Sequence, residues 1–293
     1  MIDTHAHLDF PQFDADREAV IERFLVSGGE WLLNVGVNTE RNQKALELAE
    51  KYQQVYCSLG YHPEELAEKP FKEVLLEAEE FLKEYGKEKK VVAIGEIGLD
   101  YFHNAKNKID QKKLFIKQLE IASGLNLPVI LHCRDAYEDV FDIISKLKTQ
   151  SSKLNSKSKA FGEKGISGFV LHCYGGNLAQ TEKFLQLPGV YFSFTGNITF
   201  PKVLKTPLIP LSERGKAEGK DIEIFSVIKK IPPNRIMAET DCPFLAPNPF
   251  RGKRNEPSYV KMVIEKLAEI KGLSFNEMEK ITDENAERFF KVI

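Results

Sequence analysis

Eight short apolar runs recur along the chain, and segments of helical period separate them. The runs are Ile2–His5, Trp31–Val37, Val55–Leu59, Val91–Ile97, Val129–Cys133, Gly168–His172, Val190–Phe194 and Ile236–Asp241. Between them apolar residues return at helical spacing, as in Val20, Ile21, Phe24 and Leu25, or Val74, Leu75, Ala78, Phe81 and Leu82. Val140, Phe141, Ile144 and Leu147 repeat the pattern; Val260, Val263, Leu267 and Ile270 follow the last run, and a final helix ends near Phe289 and Phe290. Eight strands each followed by a helix predict an α/β fold, a parallel (β/α)8 TIM barrel of the metal-dependent hydrolase type. Such barrels need about 250 residues, so 293 residues hold one domain, 1–293, with room for insertions. A doubly wound open sheet would want a glycine-rich turn after the first strand, and "DTHAHLDF" is not one.

Two segments read as inserted loops. Residues 149–165, rich in serine and lysine, precede strand six and are expected as a solvated loop on the face away from the strand C-termini. Residues 200–221 follow strand seven and are expected on the opposite face, where they would shape access to a site.

Five of the eight runs end in a residue that binds metals. His5 and His7 close the first, on one face of a strand by the period-two rule, and Glu96, His132, His172 and Asp241 close the fourth, fifth, sixth and eighth. Barrel active sites gather at strand C-termini, so these residues are predicted to meet around one axis. Four imidazoles and two carboxylates exceed the needs of one tetrahedral ion. Two ions use them economically: His5, His7 and Asp241 on one, His132 and His172 on the other, Glu96 between. Two cations about 3.5–4 Å apart clamp a displacement at phosphorus and supply hydroxide near neutral pH. Asp241 would orient the nucleophile or take its proton, and Glu96 joins it in the catalytic set. Glu239 shares the face of Asp241 and either assists or packs behind the ligands. His62 lies just after strand three in "GYHP", and only His103 has no evident role.

Composition sets bounds on this chemistry. The chain is 42% apolar and 29% charged, the balance of an ordinary globular domain. Its 41 basic and 43 acidic side chains give a net charge of −2, which excludes a basic nucleic-acid coat and leaves room for a local patch. Arg251, Lys253 and Arg254, just beyond strand eight, read either as such a phosphate patch or as a solvated loop; Arg134, after His132, is a further candidate. No apolar stretch approaches the roughly 20 residues of a membrane span. Asp3 to His7 already belong to the first strand, so no signal peptide is expected. Cys57, Cys133, Cys173 and Cys242 form no CxxC pair. The last three each follow a candidate ligand and are predicted to turn into packing as reduced thiols, which fits a cytoplasmic protein. No protein partner is legible, and a monomer is the expectation.

The motifs "DTHAHLDF", "GYHPEE", "AIGEIGLDYF", "LPVILHCRDA", "HCYGG", "GNITF", "ETDCPFLAPNPFRGKRNEP" and "NAERFF" run through nearly the whole chain in order. They resemble those of the TatD-related metal-dependent deoxyribonucleases, within the amidohydrolase-like barrels. The resemblance implies magnesium-supported hydrolysis of DNA phosphodiesters, 3′-to-5′ on single strands, in DNA repair or degradation. It carries the ligand role to His5, His7, Glu96, His132, His172 and Asp241, and a substrate-phosphate role to His62. An imidazole-rich site suits Zn²⁺ or Mn²⁺ better than Mg²⁺, so the bound ion and the best activator can differ. Two other readings stand beside it: an amidohydrolase acting on a small amide, ester or lactone, and a non-catalytic metal-stabilised binding protein. Several amidohydrolases bridge their metals with a carboxylated lysine from strand four, where this chain has Glu96.

Overall fold

A computed structural model describes residues 1–152, 165–200 and 223–292. All eight predicted runs form strands: β1 (Ile2–Ala6), β2 (Trp31–Val35), β3 (Val55–Leu59), β4 (Val91–Asp100), β5 (Val129–Arg134), β6 (Phe169–Leu171), β7 (Val190–Phe194) and β8 (Ile236–Ala238). Every neighbouring pair is parallel, in the order β1 to β8. The barrel is nearly closed. Beyond β8 the chain rejoins β1 where Asp241 N donates to His5 O at 2.8 Å and His7 N donates to Cys242 O at 2.8 Å.

Helices fill the intervals: α1 (Arg17–Val26), α2 (Thr39–Lys51), α3 (Glu65–Glu68), α4 (Phe71–Tyr85), α5 (Lys108–Leu125), α6 (Tyr137–Ser152), α7 (Leu178–Leu185), α8 (223–230), α9 (Val260–Lys271) and α10 (Phe275–Phe290). Their ends follow local chemistry. Asn38 caps α2, and Asn177–Gln180 and Ser274–Glu277 form reciprocal capping boxes on α7 and α10. α6 runs to Ser152, so the segment expected as a loop from 149 begins as helix; residues 153–164 lie outside the described residues. The expected access loop, 200–221, lies outside them too apart from Phe200.

The strands are almost wholly buried, as in a sheet covered by helices outside and side chains inside. α10 closes one end of the barrel. Asp283 accepts from Ile2 N at 2.9 Å and Asn285 donates to Ile236 O at 2.8 Å, which ties this helix to the first residues of β1 and β8. Phe289 and Phe290 there join Ile2, Leu33, Ile130, Val170 and Met237 in a second apolar cluster. With the strand N-termini closed by apolar packing, the opposite end is left for polar groups.

Candidate metal centre

Pairing between strands shifts register at two of the ligands. On β1 the shift falls between Asp3 and Ala6, around His5, and on β4 between Ile94 and Ile97, around Glu96. Such irregularities re-aim side chains near functional sites. Thr4 passes β8 to bond Ser193 of β7 at 3.3 Å in the barrel interior, yet the next residue, His5, meets the site. Strict alternation is therefore broken there. Behind Glu96 the backbone is tightly backed: a Cβ added at Gly60 would lie 2.7 Å from Gly95 C and 2.8 Å from Glu96 N.

Glu96 is the hub of the site. Its Oε1 lies 2.7 Å from His132 Nδ1, 3.1 Å from His172 Nε2 and 3.5 Å from His62 Nε2. Its Oε2 lies 3.5 Å from His5 Nε2 and 3.9 Å from His7 Nε2. Asp241 Oδ1 faces the same two nitrogens at 3.8 and 3.5 Å, and those nitrogens are 3.2 Å apart. Ligand atoms at about 2.1 Å around a tetrahedral ion stand roughly 3.4 Å from one another, so atoms with these spacings could close around divalent ions. His5, His7 and Asp241 form one tight group, His5, Glu96 and His172 a second, and His62, Glu96 and His132 a third. His132 and His172 share Glu96 Oε1, with ring centroids 6.1 Å apart, while His172 stacks on His5 at 3.9 Å. No cysteine joins any group among the described residues.

The outer contacts fix which nitrogen of each ring looks inward. His7 Nδ1 donates to Val35 O at 3.0 Å and His172 Nδ1 donates to Glu239 Oε1 at 3.1 Å, so both rings present Nε2 to the centre. His132 is held from behind by Asp100, with Nε2 at 3.0 Å from Oδ2, and turns Nδ1 to Glu96. His62 has the opposite polarity. Glu64 N donates to its Nδ1 at 3.3 Å, which leaves the ring hydrogen on Nε2, facing the site as a donor. His5 Nδ1 is buried with no hydrogen-bond partner. A donor set of buried nitrogens and carboxylate oxygens, aimed inward by its surroundings, fits divalent cations with mixed N and O ligands.

The charges point the same way. Burial works against Glu96, but charge on His172 and the hydrogen bonds from His132 and His172 hold its carboxyl well below the usual range. Burial also opposes charge on His172, yet Glu96 and Glu239 raise it well above an ordinary histidine; His7 and His132 are raised as well, by Asp241 and by Asp100 with Glu96. His5 is lowered, by burial and then by the charge on His172. Asp241 is lowered despite burial, by its hydrogen bond from His7 and the charges of His172 and His5. Its backbone has φ +56°, a left-handed conformation that an aspartate holds at some cost and that recurs at functional sites.

The candidate cations are distributed differently. Arg254 forks onto both oxygens of Asp16 at 2.7 Å and also bonds Gln12 O, so its donors are engaged. Lys253 lies over the Phe250 ring at 5.7 Å. Arg251 stacks on Phe200 and Arg134 on Phe102, each at 4.3 Å, and neither has a carboxylate partner among the described residues. Glu239 is buried, bonding His172 and Cys173 N at 2.7 Å, behind the ligands. Sequence reasoning missed Asp100, buried at the end of β4. It also missed the partners of His103, whose Nδ1 is 2.9 Å from both Asp100 Oδ2 and Glu64 Oε1. The signal for Asp100 was available: it stands two and four residues beyond Gly98 and Glu96 in period-two order.

A nearly closed parallel barrel bearing this donor set at its strand C-termini defines a metal-dependent hydrolase. The family model described as "TatD related DNase" matches residues 2–291, and the chain belongs to that family. It is 37% identical over 292 residues to the uncharacterized metal-dependent hydrolase YabD of Bacillus subtilis, covering 100% of this chain and 99% of the relative. It is 29% identical over 296 residues to a protein named 3′-5′ ssDNA/RNA exonuclease TatD from Escherichia fergusonii, with the same coverage. Among solved structures it resembles YJJV, a TatD homologue from Escherichia coli K12, with TM-score 0.80 and 31% identity, covering 100% of this chain and 98% of that one. No helix among the described residues is long and apolar enough to cross a membrane.

Proposed function

We propose that this protein is a metal-dependent deoxyribonuclease that hydrolyses DNA phosphodiester bonds through a binuclear centre, acting 3′-to-5′ on single strands. The observation that carries this reading is the polarity of the cluster around Glu96. His7, His172 and His132 turn inward a ring nitrogen whose proton a metal ion can replace, while His62 turns a hydrogen inward beside them. A phosphodiester needs both, cations for its charge and a donor for its free oxygen. Membership of a family described as DNases and the exonuclease name of one relative supply the substrate class.

His5, His7 and Asp241 would hold one ion and His132 and His172 the other, with Glu96 between them; His132 and His172 meet through Glu96 Oε1, although no single ligand group contains both. When bound, the ions would polarise the phosphoryl oxygens and supply a nucleophile from water near neutral pH. The protein's own work is then positional and protolytic. His62 Nε2 donates to a non-bridging phosphate oxygen. Asp241, kept ionised by its histidines, accepts the proton of the attacking water. Glu96 holds the ligand groups together, and Glu239 keeps His172 in one tautomer. Arg251 and Arg134, free of carboxylates among the described residues, steer the strand. DNA repair or degradation in the cytoplasm is the setting this reading implies, with a monomer sufficient.

The test is a substrate panel. Purified protein with Mg²⁺, Mn²⁺ or Zn²⁺ should shorten end-labelled single-stranded DNA from its 3′ end. Cleavage of a lactone or amide, with no nucleic acid cut under any of these ions, would refute the nuclease reading.

A further inference from the structure

Phe244 stands at the mouth of the site with 46% of its surface exposed. Val26, Leu76, Ile109 and Phe102 are more exposed still; the first three belong to α1, α4 and α5, where scattered exposure needs no explanation, and the Phe102 ring already carries the Arg134 guanidinium at 4.3 Å. Phe244 differs in being both held and aimed. Its N–H donates to Asp241 O at 2.9 Å, and Asn255 Nδ2 donates to Phe244 O at 2.6 Å and to Thr240 O at 2.8 Å. The ring thus rides on the same short turn as Asp241, braced from both sides. It meets Phe10 edge-to-face at 5.9 Å and His7 at 6.4 Å. Phe10 is itself fixed, 4.8 Å from His7 and 4.9 Å from the Arg41 guanidinium. A ladder of rings therefore leads from a metal ligand to an exposed aromatic face.

The cleft beside it is small. It measures about 270 Å³ and is lined by His62, Glu96, His132, His172, Asp241 and Phe244 among others. Pockets that enclose an organic ligand run to about 300–1,000 Å³. A cleft just below that range has room for a phosphate at the ligands, with Phe244 on its rim beside whatever the phosphate carries. Every nucleobase has a π-face, and aromatic side chains at the edge of a phosphate-binding cleft take up bases without regard to sequence. We infer that Phe244, buttressed by Phe10, is a nucleobase-stacking platform that seats the nucleotide next to the scissile phosphate. The inference rests on the nuclease reading and adds a specificity element to it: the enzyme recognises that a base is present, not which base.

The experiment pairs a protein change with a substrate change. Phe244→Ala, Phe244→Leu and Phe244→Trp are compared with wild type on a short single-stranded oligodeoxynucleotide, and on versions in which one tetrahydrofuran abasic residue is walked through every position. Thermal unfolding and metal content should match wild type, since the side chain is half outside. The expected result is a KM about tenfold or more higher for Phe244→Ala and Phe244→Leu on normal DNA, with Phe244→Trp close to wild type. At one position the abasic residue should cost wild type the same factor and cost Phe244→Ala nothing further. Equal loss on normal and abasic strands at every position, or no loss at all, overturns the stacking assignment alone. A wild-type protein that cuts no oligonucleotide overturns the nuclease reading and this inference with it.

Discussion

The segment that follows β8 takes part in two clusters of carboxylates, and they are neutralised by different cations. In one, Glu256 receives Arg23 at 2.7–3.2 Å and Ser258 Oγ at 2.7 Å, while Asp16 receives Arg254 on both oxygens. The Arg254 and Arg23 hydrogen bonds push Asp16 down to about 2. In the other, Glu96 and Asp241 have imidazoles as their only cationic partners among the described residues. A guanidinium never gives up its proton, so the first cluster is closed and braces α1 against the loop. An imidazole does give it up, so a divalent ion can take the place of the protons in the second. What separates a brace from a reactive centre here is the lability of the partner's proton, not the burial of the acid.

The largest effect that separates them is on activity. Glu96→Ala and Asp241→Ala should each lower metal-dependent hydrolysis by at least about 10³-fold, with the barrel still folded by circular dichroism. Arg23→Ala should leave turnover within a few-fold and lower the melting temperature instead. If Glu96→Ala kept a tenth of the activity, the contrast between the clusters would collapse.

Next comes pH. The folded-state pKa of His172 is raised above 6.5, so its contribution to stability is complete below that value and is lost as pH climbs through the raised one. Glu96 is depressed below 4.5, so its contribution is present above that value and is lost as pH falls through the depressed one. Protein stripped by a chelator should therefore be most stable between roughly pH 5 and 6.5 and should melt progressively lower towards pH 9. Loaded protein should escape that alkaline decline, because the ions replace the protons, and its metal affinity should fall on acidification. Melting curves with and without chelator decide this; a stripped protein whose stability rises from pH 7 to 9 contradicts it.

A smaller effect is expected one contact further out. Asp100→Asn keeps the shape of the side chain but weakens the charge behind His132, and metal affinity should drop about 10–100-fold by isothermal titration. Unchanged affinity would make Asp100 a mere loop anchor for Phe102 and His103, whose amides its Oδ1 also accepts.

Asp100 also marks where the sequence stopped being legible. The eight runs, their order and the convergence of five strand ends follow from periodicity, because a barrel turns chain order into spatial order. Ligands such as His132 were readable as the last polar residue of an apolar run. Asp100 kept the period-two order of Glu96 but was passed over because β4 was expected to end at Ile97, whereas it pairs with β5 for three residues more. Gly98 permits this: a Cβ there would lie 1.9 Å from His132 O. Supports reached across long separations were not legible at all. Asp3 bonds Thr240 Oγ1 at 2.6 Å from 237 residues away, and Asn34 accepts from Leu8 N at 2.6 Å. Neither contact leaves a local pattern, and Phe244 looked like any other loop aromatic until its neighbours were in place.

The basic residues of the loop after β8 give the smallest and most discriminating test. Arg251 and Arg254 are equivalent in the sequence, three residues apart in "RGKR", and either could have met phosphate. The fold separates them. Arg254 has a carboxylate on its fork, and a guanidinium already bidentate to Asp16 gains little by exchanging it for a phosphate. Arg251 has only the Phe200 ring among the described residues, which leaves its charge uncompensated there. Arg254→Gln should therefore cost on the order of 0.5 kcal/mol of stability, as half-exposed ion pairs do, and leave the salt dependence of DNA binding unchanged. Arg251→Gln should do the reverse: unaltered melting, with the slope of log Kd against log salt reduced by about 0.7, the value for neutralising one phosphate fewer on a single strand. Equal slopes for the two variants would mean that the Asp16 pairing opens on DNA binding, and the brace would then belong to the substrate path after all.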